Sequence, residues 1–226
     1  MKPTICDLEP AHLADARRLL SQAFAADPYL VAALPDPRRR ARALPMLFGA
    51  VLDNARQHGS VRVALDPGTH ELAGVAAWAW WPHVGLGLLT SVRHGLATLP
   101  LVVGVRDTAR LDRLNRTHEA AHRRLAPAKH RYLHAIGVAP GHQGAGVGSA
   151  LLLDGLADAD AAGVATYLET HRAERAALRA VRLRARAGAA AGRPARAVHA
   201  PPGQAALACR GQPHAALGRV SQWRVG

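Results

Sequence analysis

The sequence predicts an α/β fold with a mixed sheet (α+β in its segregated variant), and three observations carry that prediction. Strand and helix patterns alternate along the chain. A glycine-rich turn, Gln143 to Ser149, joins a strand to an apolar helix. And 226 residues, 49% apolar and 20% charged, suffice for one hydrophobic core and one domain.

From about Glu9 to Phe24, residues Leu13, Ala16, Leu19, Leu20 and Phe24 recur at helical spacing, with Arg17, Arg18 and Gln22 on the opposite side. Asp27-Pro28 ends that amphipathic helix, and a second pattern runs from Pro37 to Gln57 on Leu44, Leu47, Phe48, Val51 and Leu52. Val61 to Leu65 and Leu72 to Trp80 read as strands joined by the turn residues Asp66-Pro67-Gly68-Thr69, which predicts a hairpin. Thr90 to Ala126 reads as helix, rich in Arg and His, up to Pro127. Arg131 to Val138 is the next strand, and simple alternation puts Tyr132, His134 and Ile136 on one face. Gly148 to Ala162 is a helix closed by Gly163, and Ala165 to Glu169 is a further strand.

Composition narrows the function classes. The two cysteines, Cys6 and Cys209, lack the paired spacing of a zinc site or redox motif, so no metal is expected and a reducing cytoplasm is the simplest compartment. Polar residues follow Met1 too early for a signal peptide, and Arg93, His94 and Pro100 break the apolar stretches Val84–Leu89 and Leu96–Val105, so no membrane partner is expected. The formal charge of +13 is unevenly placed. From His171 to Gly226 there are eleven Arg and one acid, Glu174, while residues 1–170 carry only +3. A nucleic-acid-binding protein working through that basic segment is therefore the weaker of the rival readings, and no nucleic-acid partner is expected.

The chemistry sits in Tyr132 to Val138, the turn Ala139-Pro140-Gly141-His142, and Gln143-Gly144-Ala145-Gly146-Val147-Gly148-Ser149. Glycines at 144, 146 and 148 leave backbone N–H groups free to converge on an anion at a positive helix N-terminus, and a pyrophosphate suits them. The Walker version needs Gly-Lys-Ser/Thr, but Ser149 follows Gly148 directly. The dinucleotide version needs its third glycine three positions after the second, where Gly146 and Gly148 lie two apart.

This run resembles the coenzyme A signature Gln/Arg-x-x-Gly-x-Gly/Ala of the GCN5-related N-acetyltransferase (GNAT) superfamily, in Gln143, Gly146 and Gly148 after the strand ending Gly137-Val138. Ala23 to Pro28, Trp78-Ala79-Trp80 and Leu168-Glu169-Thr170 are similar to the small-molecule branch containing puromycin N-acetyltransferase, and the resemblance covers roughly 1–170. It implies the GNAT acyl-CoA N-acyltransferase fold and acetyl-CoA as co-substrate, held by Ile136, Val138, Gln143, Gly144, Ala145, Gly146, Val147, Gly148 and Ser149. It also implies a cleft where the strand ending at Val138 splays from the one ending at Glu169, and direct attack by a small-molecule amine on the thioester. A homodimer is compatible with it. The amine must first lose a proton. His134 is the first candidate base, with Glu119, His118 and His122 as alternatives. Trp78, Trp80 and Trp81 either line an acceptor pocket or pack the sheet. A degenerate fold that binds coenzyme A without turnover is the nearer rival.

After Thr170 the resemblance implies a helix and two closing strands with a Tyr-x-x-x-Gly-Phe segment whose Tyr protonates the leaving thiolate. The pattern from 171 to 226 lacks them, so the closing helix and strands are expected to be missing or aberrant and the segment poorly ordered. From Arg184 to Arg196 no apolar residue is larger than Ala except Pro194. Permitted codons for Leu178 to Arg186, read one base later, give Tyr-Glu-Arg-Phe-Gly-Phe-Glu-Arg, so a shifted reading frame is expected from about residue 171, with weak stability and weak or no activity. The chain then divides into a core at 1–170 and an out-of-frame segment at 171–226.

Overall fold

The amphipathic patterns bury as their spacing requires. In α1 (Leu13–Ala23), entered through a 3-10 turn at Pro10–His12, Ala16, Leu19 and Leu20 are buried. α2 (Pro28–Ala33) is capped by the Asp27 carboxylate, which accepts from the Leu30 N–H at 3.0 Å, and α3 (Pro37–His58) by Asp36. A computed structural model describes residues 3–86, 88–170 and 205–210. Its strands are β1 (Thr4–Asp7), β2 (Gly59–Leu65), β3 (Leu72–Trp80), β4 (His130–Val138), β5 (Ala165–Thr170) and β6 (Ala205–Arg210). The sheet runs in sequence order, antiparallel throughout except for the parallel pair β4 and β5. That parallel pair needs a crossover, which α7 (Val147–Ala161) supplies.

α1 and α3 cover one face of the sheet over Leu20, Leu52, Val63 and Val75, and α7 covers the other over Trp78, Leu133 and Leu151. Close approach is enforced by absent side chains. A Cβ on Gly155 of α7 would lie 2.2 Å from the Trp78 ring, and one on Gly74 would lie 2.8 Å from Val147.

The expected helix over Thr90–Ala126 is broken instead into α4 (Leu88–Arg93), a 3-10 turn, α5 (Leu99–Val103) and α6 (Val105–Leu125). The breaks fall at Gly95 (φ 68°) and Gly104 (φ 89°), left-handed or extended positive-φ positions that end a helix at no steric cost to glycine. α5 and α6 pack on α2 and α3 through Leu34, Leu99 and Val103, which builds a helical wall. Among the described residues no helix is long and apolar enough to cross a membrane. The segment expected to be out of frame lies outside the described residues, apart from β6, which pairs antiparallel with β5.

Strand β4 departs from simple alternation. Ala77 pairs with Ala135 but Trp78 pairs with Leu133, so His134 is an extra residue, a β-bulge. Alternation inverts there: Leu133 packs on the α7 side, Ala135 on the α1 side and Ile136 again on the α7 side. The expected shared face of Tyr132, His134 and Ile136 is therefore split, with Ile136 facing away from Tyr132.

Candidate active site

β4 and β5 pair only from His130↔Ala165 to Leu133↔Leu168. Beyond that point the strands part, and β4 continues to Val138 with β3 alone beside it among the described residues. The Ala139 N–H donates to Ala73 O of β3 at 2.9 Å. Alternation then turns the N–H groups of Ile136 and Val138 into the opening.

The turn after β4 leads straight to an uncapped helix. Pro140–His142 forms a 3-10 turn, and Gly144 (φ 79°) and Gly146 (φ 83°) are left-handed, with nothing within 4 Å of a Cβ on either. The first helical bond of α7 is Ala150 N–H to Gly146 O, no side chain caps its start, and no acid lies in its first turn. The N–H groups of Val147, Gly148 and Ser149 are thus the orphan donors of a positive helix end. The Ser149 hydroxyl is buried without a hydrogen-bond partner, and the Gln143 amide donates to Val138 O at 3.4 Å. Asp66 of the β2–β3 turn steadies this loop: its carboxylate accepts from Gly68 N (2.8 Å) and Thr69 N (3.0 Å) and contacts His142 Nε2 at 3.2 Å. Those backbone donors, then His142, hold its pKa below the usual carboxylate range. The coenzyme-loop residues expected from sequence therefore lie together.

Across the opening, at the end of β5, stands Glu169. Its side chain is only 8% exposed. The Tyr167 hydroxyl donates to Oε1 (3.1 Å), the Tyr132 hydroxyl to Oε2 (3.4 Å), and His118 Nε2 touches Oε2. Burial raises the carboxyl pKa to about 7, against the pull of the two hydroxyls. Burial and the Glu169 charge in turn push both tyrosines well above their ordinary value. Beneath them His130 Nδ1 lies 2.8 Å from Pro127 O, so that nitrogen is the donor and its Nε2 the acceptor of the 2.9 Å bond from His122 Nε2. Both rings are thereby assigned neutral tautomers, and burial lowers both pKa values, that of His122 to about 4.

A cavity of about 830 Å³ joins this corner to the helical wall of α3 and α6. His134 faces it with its ring 4.6 Å from that of Tyr132 and its Nε2 buried without a partner, and burial, then His122 and His118, lowers its pKa to about 3. Glu119 lies on the cavity's outer rim, where it accepts from Asn115 (3.2 Å) and faces Arg123 at 3.9 Å. Of the three tryptophans only Trp81 lines the cavity. Trp78 is fully buried under Gly155, and the Arg131 guanidinium lies over the rings of Trp78 and Trp80, about 5 Å from each. Glu169, Tyr132 and Tyr167 went unrecognised in the sequence as a site. The available signal was an acid closing a parallel strand, at the carboxyl end where ligands of such sheets collect. No group of three or more His, Cys, Asp or Glu able to hold a metal occurs among the described residues.

Comparison with known proteins gives the same fold. Residues 105–184 match the family model described as Acetyltransferase (GNAT) family. A structure of "histone acetyltransferase HPA2 and related acetyltransferase" from Corynebacterium glutamicum is 24% identical, with a TM-score of 0.60 over 95% of this chain and all of that one. An agmatine N-acetyltransferase variant in its apo form is 16% identical (TM-score 0.51, 79% and 80% covered). A putative arylalkylamine N-acetyltransferase 7 of the yellow fever mosquito is 17% identical (TM-score 0.50, 77% and 70% covered). The mixed sheet with its parted parallel pair is the GNAT acetyltransferase fold.

Proposed function

We propose that this chain is an acetyl-CoA-dependent N-acetyltransferase that acetylates a small-molecule amine by direct attack in a ternary complex. The observation that carries the reading is the parting of β4 and β5 at Leu133 and Leu168: one lip presents free N–H groups and an uncapped helix end, the other a buried carboxylate. When bound, acetyl-CoA supplies an activated acyl group. The N–H groups of Val147, Gly148 and Ser149 fit its pyrophosphate, with Gln143, Gly144, Ala145 and Gly146 shaping the turn. The N–H groups of Ile136 and Val138 fit its pantetheine arm as an added strand would, and Val138 also polarises the acyl carbonyl. Glu169 takes the ammonium proton. It is half ionised near neutral pH, whereas neutral His134 is a far weaker proton acceptor and Glu119 is engaged by Asn115 and Arg123. His134 keeps a supporting place as an unprotonated ring beside the attacking nitrogen.

Calorimetric titration with acetyl-CoA tests the assignment. Gly146→Asp puts a carboxylate at the anion site and is expected to weaken binding at least about 100-fold, with Gly146→Asn losing far less. Equal affinity in parent and Gly146→Asp rejects the coenzyme site.

Residues 1–170 form the acetyltransferase core in this reading, similar in motif to the puromycin N-acetyltransferase branch, and 171–226 are read in a shifted frame. Sequencing the DNA around codons 170–178 tests that: an alternative frame without Tyr-x-x-x-Gly-Phe rejects it. The coenzyme-binding fold without turnover is the second reading, favoured by the lost tyrosine acid. Acetyl-CoA binding without thiol release in the presence of an amine panel selects it.

A further inference from the structure

The cavity beside Glu169 is lopsided in its chemistry. Away from the carboxylate its described lining is dominated by large apolar and aromatic groups, among them Phe24, Tyr29, Phe48, Trp81, Leu86 and Leu111. Phe24 and Phe48 pack ring to ring at 5.0 Å, and Trp81 is 38% exposed at the mouth. A volume of about 830 Å³ is near the upper end for small-ligand pockets and exceeds the needs of a single methylammonium head.

The charges are distributed with equal asymmetry. Asp27, Asp112, Glu119 and Glu169 face the cavity against one guanidinium, Arg123. Three of the acids are already engaged: Asp27 caps Leu30, Asp112 pairs with Arg116 at 2.8 Å, and Glu119 accepts from Asn115. Among the described residues Glu169 is held by two phenols and an imidazole, with no Lys or Arg. A cation offered to this cavity therefore meets its least compensated acid at the reaction end, and beyond it mainly apolar surface with acids that are already engaged.

Resting on the acetyltransferase reading, we infer that the acceptor is a hydrophobic monoamine: a primary amine on a short chain with an aromatic or comparably bulky apolar body. A second ammonium, as in a diamine, would be stripped of water among Phe48, Leu86 and Leu111, or would displace Arg116 from Asp112. A carboxylate next to the amine, as in an amino acid, would lie against Glu169 with like charge. The hydroxyls of an amino sugar would find few partners along the apolar wall.

Binding decides the matter without requiring turnover. 2-Phenylethylamine, putrescine and phenylalanine are titrated calorimetrically at pH 8 into the full chain saturated with coenzyme A. The expected result is 2-phenylethylamine at least about 30-fold tighter than either rival, from burial of its ring. Putrescine or phenylalanine binding equally well overturns the inference, as does no binding by any amine. Leu111→Glu is expected to weaken 2-phenylethylamine at least about tenfold and to strengthen putrescine, because it adds an acid where the second ammonium would lie. Should that variant fold poorly, Trp81→Ala at the exposed mouth is expected to weaken 2-phenylethylamine about tenfold and to leave putrescine unchanged. Unchanged 2-phenylethylamine affinity in a folded variant overturns the inference. If coenzyme A itself fails to bind, the acetyltransferase reading falls, and the same titrations on the free protein still decide the amine class.

Discussion

Arg131 and Glu169 are both charged groups buried against strand β4 or its parallel neighbour, and they are treated in opposite ways. Arg131 is 1% exposed, yet both its terminal nitrogens are engaged: Nη1 donates to Gly155 O (2.8 Å) and pairs with Asp158 (2.6 Å), Nη2 donates to Ser60 Oγ (2.6 Å), and the guanidinium lies over the rings of Trp78 and Trp80. Those contacts tie β4 to α7 and β2, so the charge is a structural tie. Glu169 is nearly as deeply buried but has phenol and imidazole partners where Arg131 has an ion. A compensated buried charge holds a fold together, and an undercompensated one at a cleft keeps a pKa close to neutrality for proton transfer.

That contrast breaks most readily through Glu169→Gln, which keeps the shape and removes the proposed base. Its kcat/KM in thiol release is expected to fall about 10²–10⁴-fold, with acetyl-CoA affinity unchanged. The ratio is measured on this chain, and on the restored-frame chain if sequencing finds the shift. A rate within about threefold of the parent would reduce Glu169 to a packing residue.

The converse holds for Arg131→Met. Stability in urea is expected to drop by about 3 kcal/mol, since Gly155 O and Ser60 lose a buried donor while the half-exposed Asp158 returns to water. Coenzyme affinity of the folded fraction is expected to stay within about twofold. A loss of binding with no loss of stability would transfer Arg131 to the site.

pH sharpens the comparison further. The folded Glu169 carboxyl is raised from about 4.5 to about 7, so the native state favours its protonated form. The associated stability is present below about pH 4.5 and is lost as pH rises through 7. Glu169→Gln should therefore match the parent near pH 4.5 and exceed it at pH 8 by roughly 2–3 kcal/mol in denaturation midpoints converted to free energy. Parent kcat/KM should climb about tenfold per pH unit up to about 7 and then level, and a flat profile between pH 5 and 8 would contradict a base of that pKa. The smallest effect is expected from Asp66→Asn, which weakens the hold on His142 and the coenzyme turn and should raise KM for acetyl-CoA about threefold with kcat unchanged.

The strand, glycine-rich turn and helix from β4 to α7 were legible because their information is local. Residues 132 to 153 run strand, turn, helix without interruption, and the positive φ of Gly144 and Gly146 is written in the residue type itself. The hairpin of β2 and β3 followed from Asp66 to Thr69 for the same reason. The long helical stretch from Thr90 misled because its apolar spacing persists across Gly95 and Gly104, and only packing of α5 against α2 and α3 selects the break over a kink. The common face expected for Tyr132, His134 and Ile136 is split because a bulge leaves no mark in the residue types of one strand.

The sequence alone thus determined the alternation of strands and helices, the glycine-rich entry to α7 and the acyl-coenzyme chemistry that such an entry suits. The tertiary structure decided what surrounds the Glu169 carboxyl. Tyr132 and Glu169 are 37 residues apart and meet only because β4 and β5 pair in parallel and then separate, while α6 brings His118 across from the other side. The pKa of a carboxyl is set by what surrounds it in space, its loss of water above all, and that quantity has no expression along the chain.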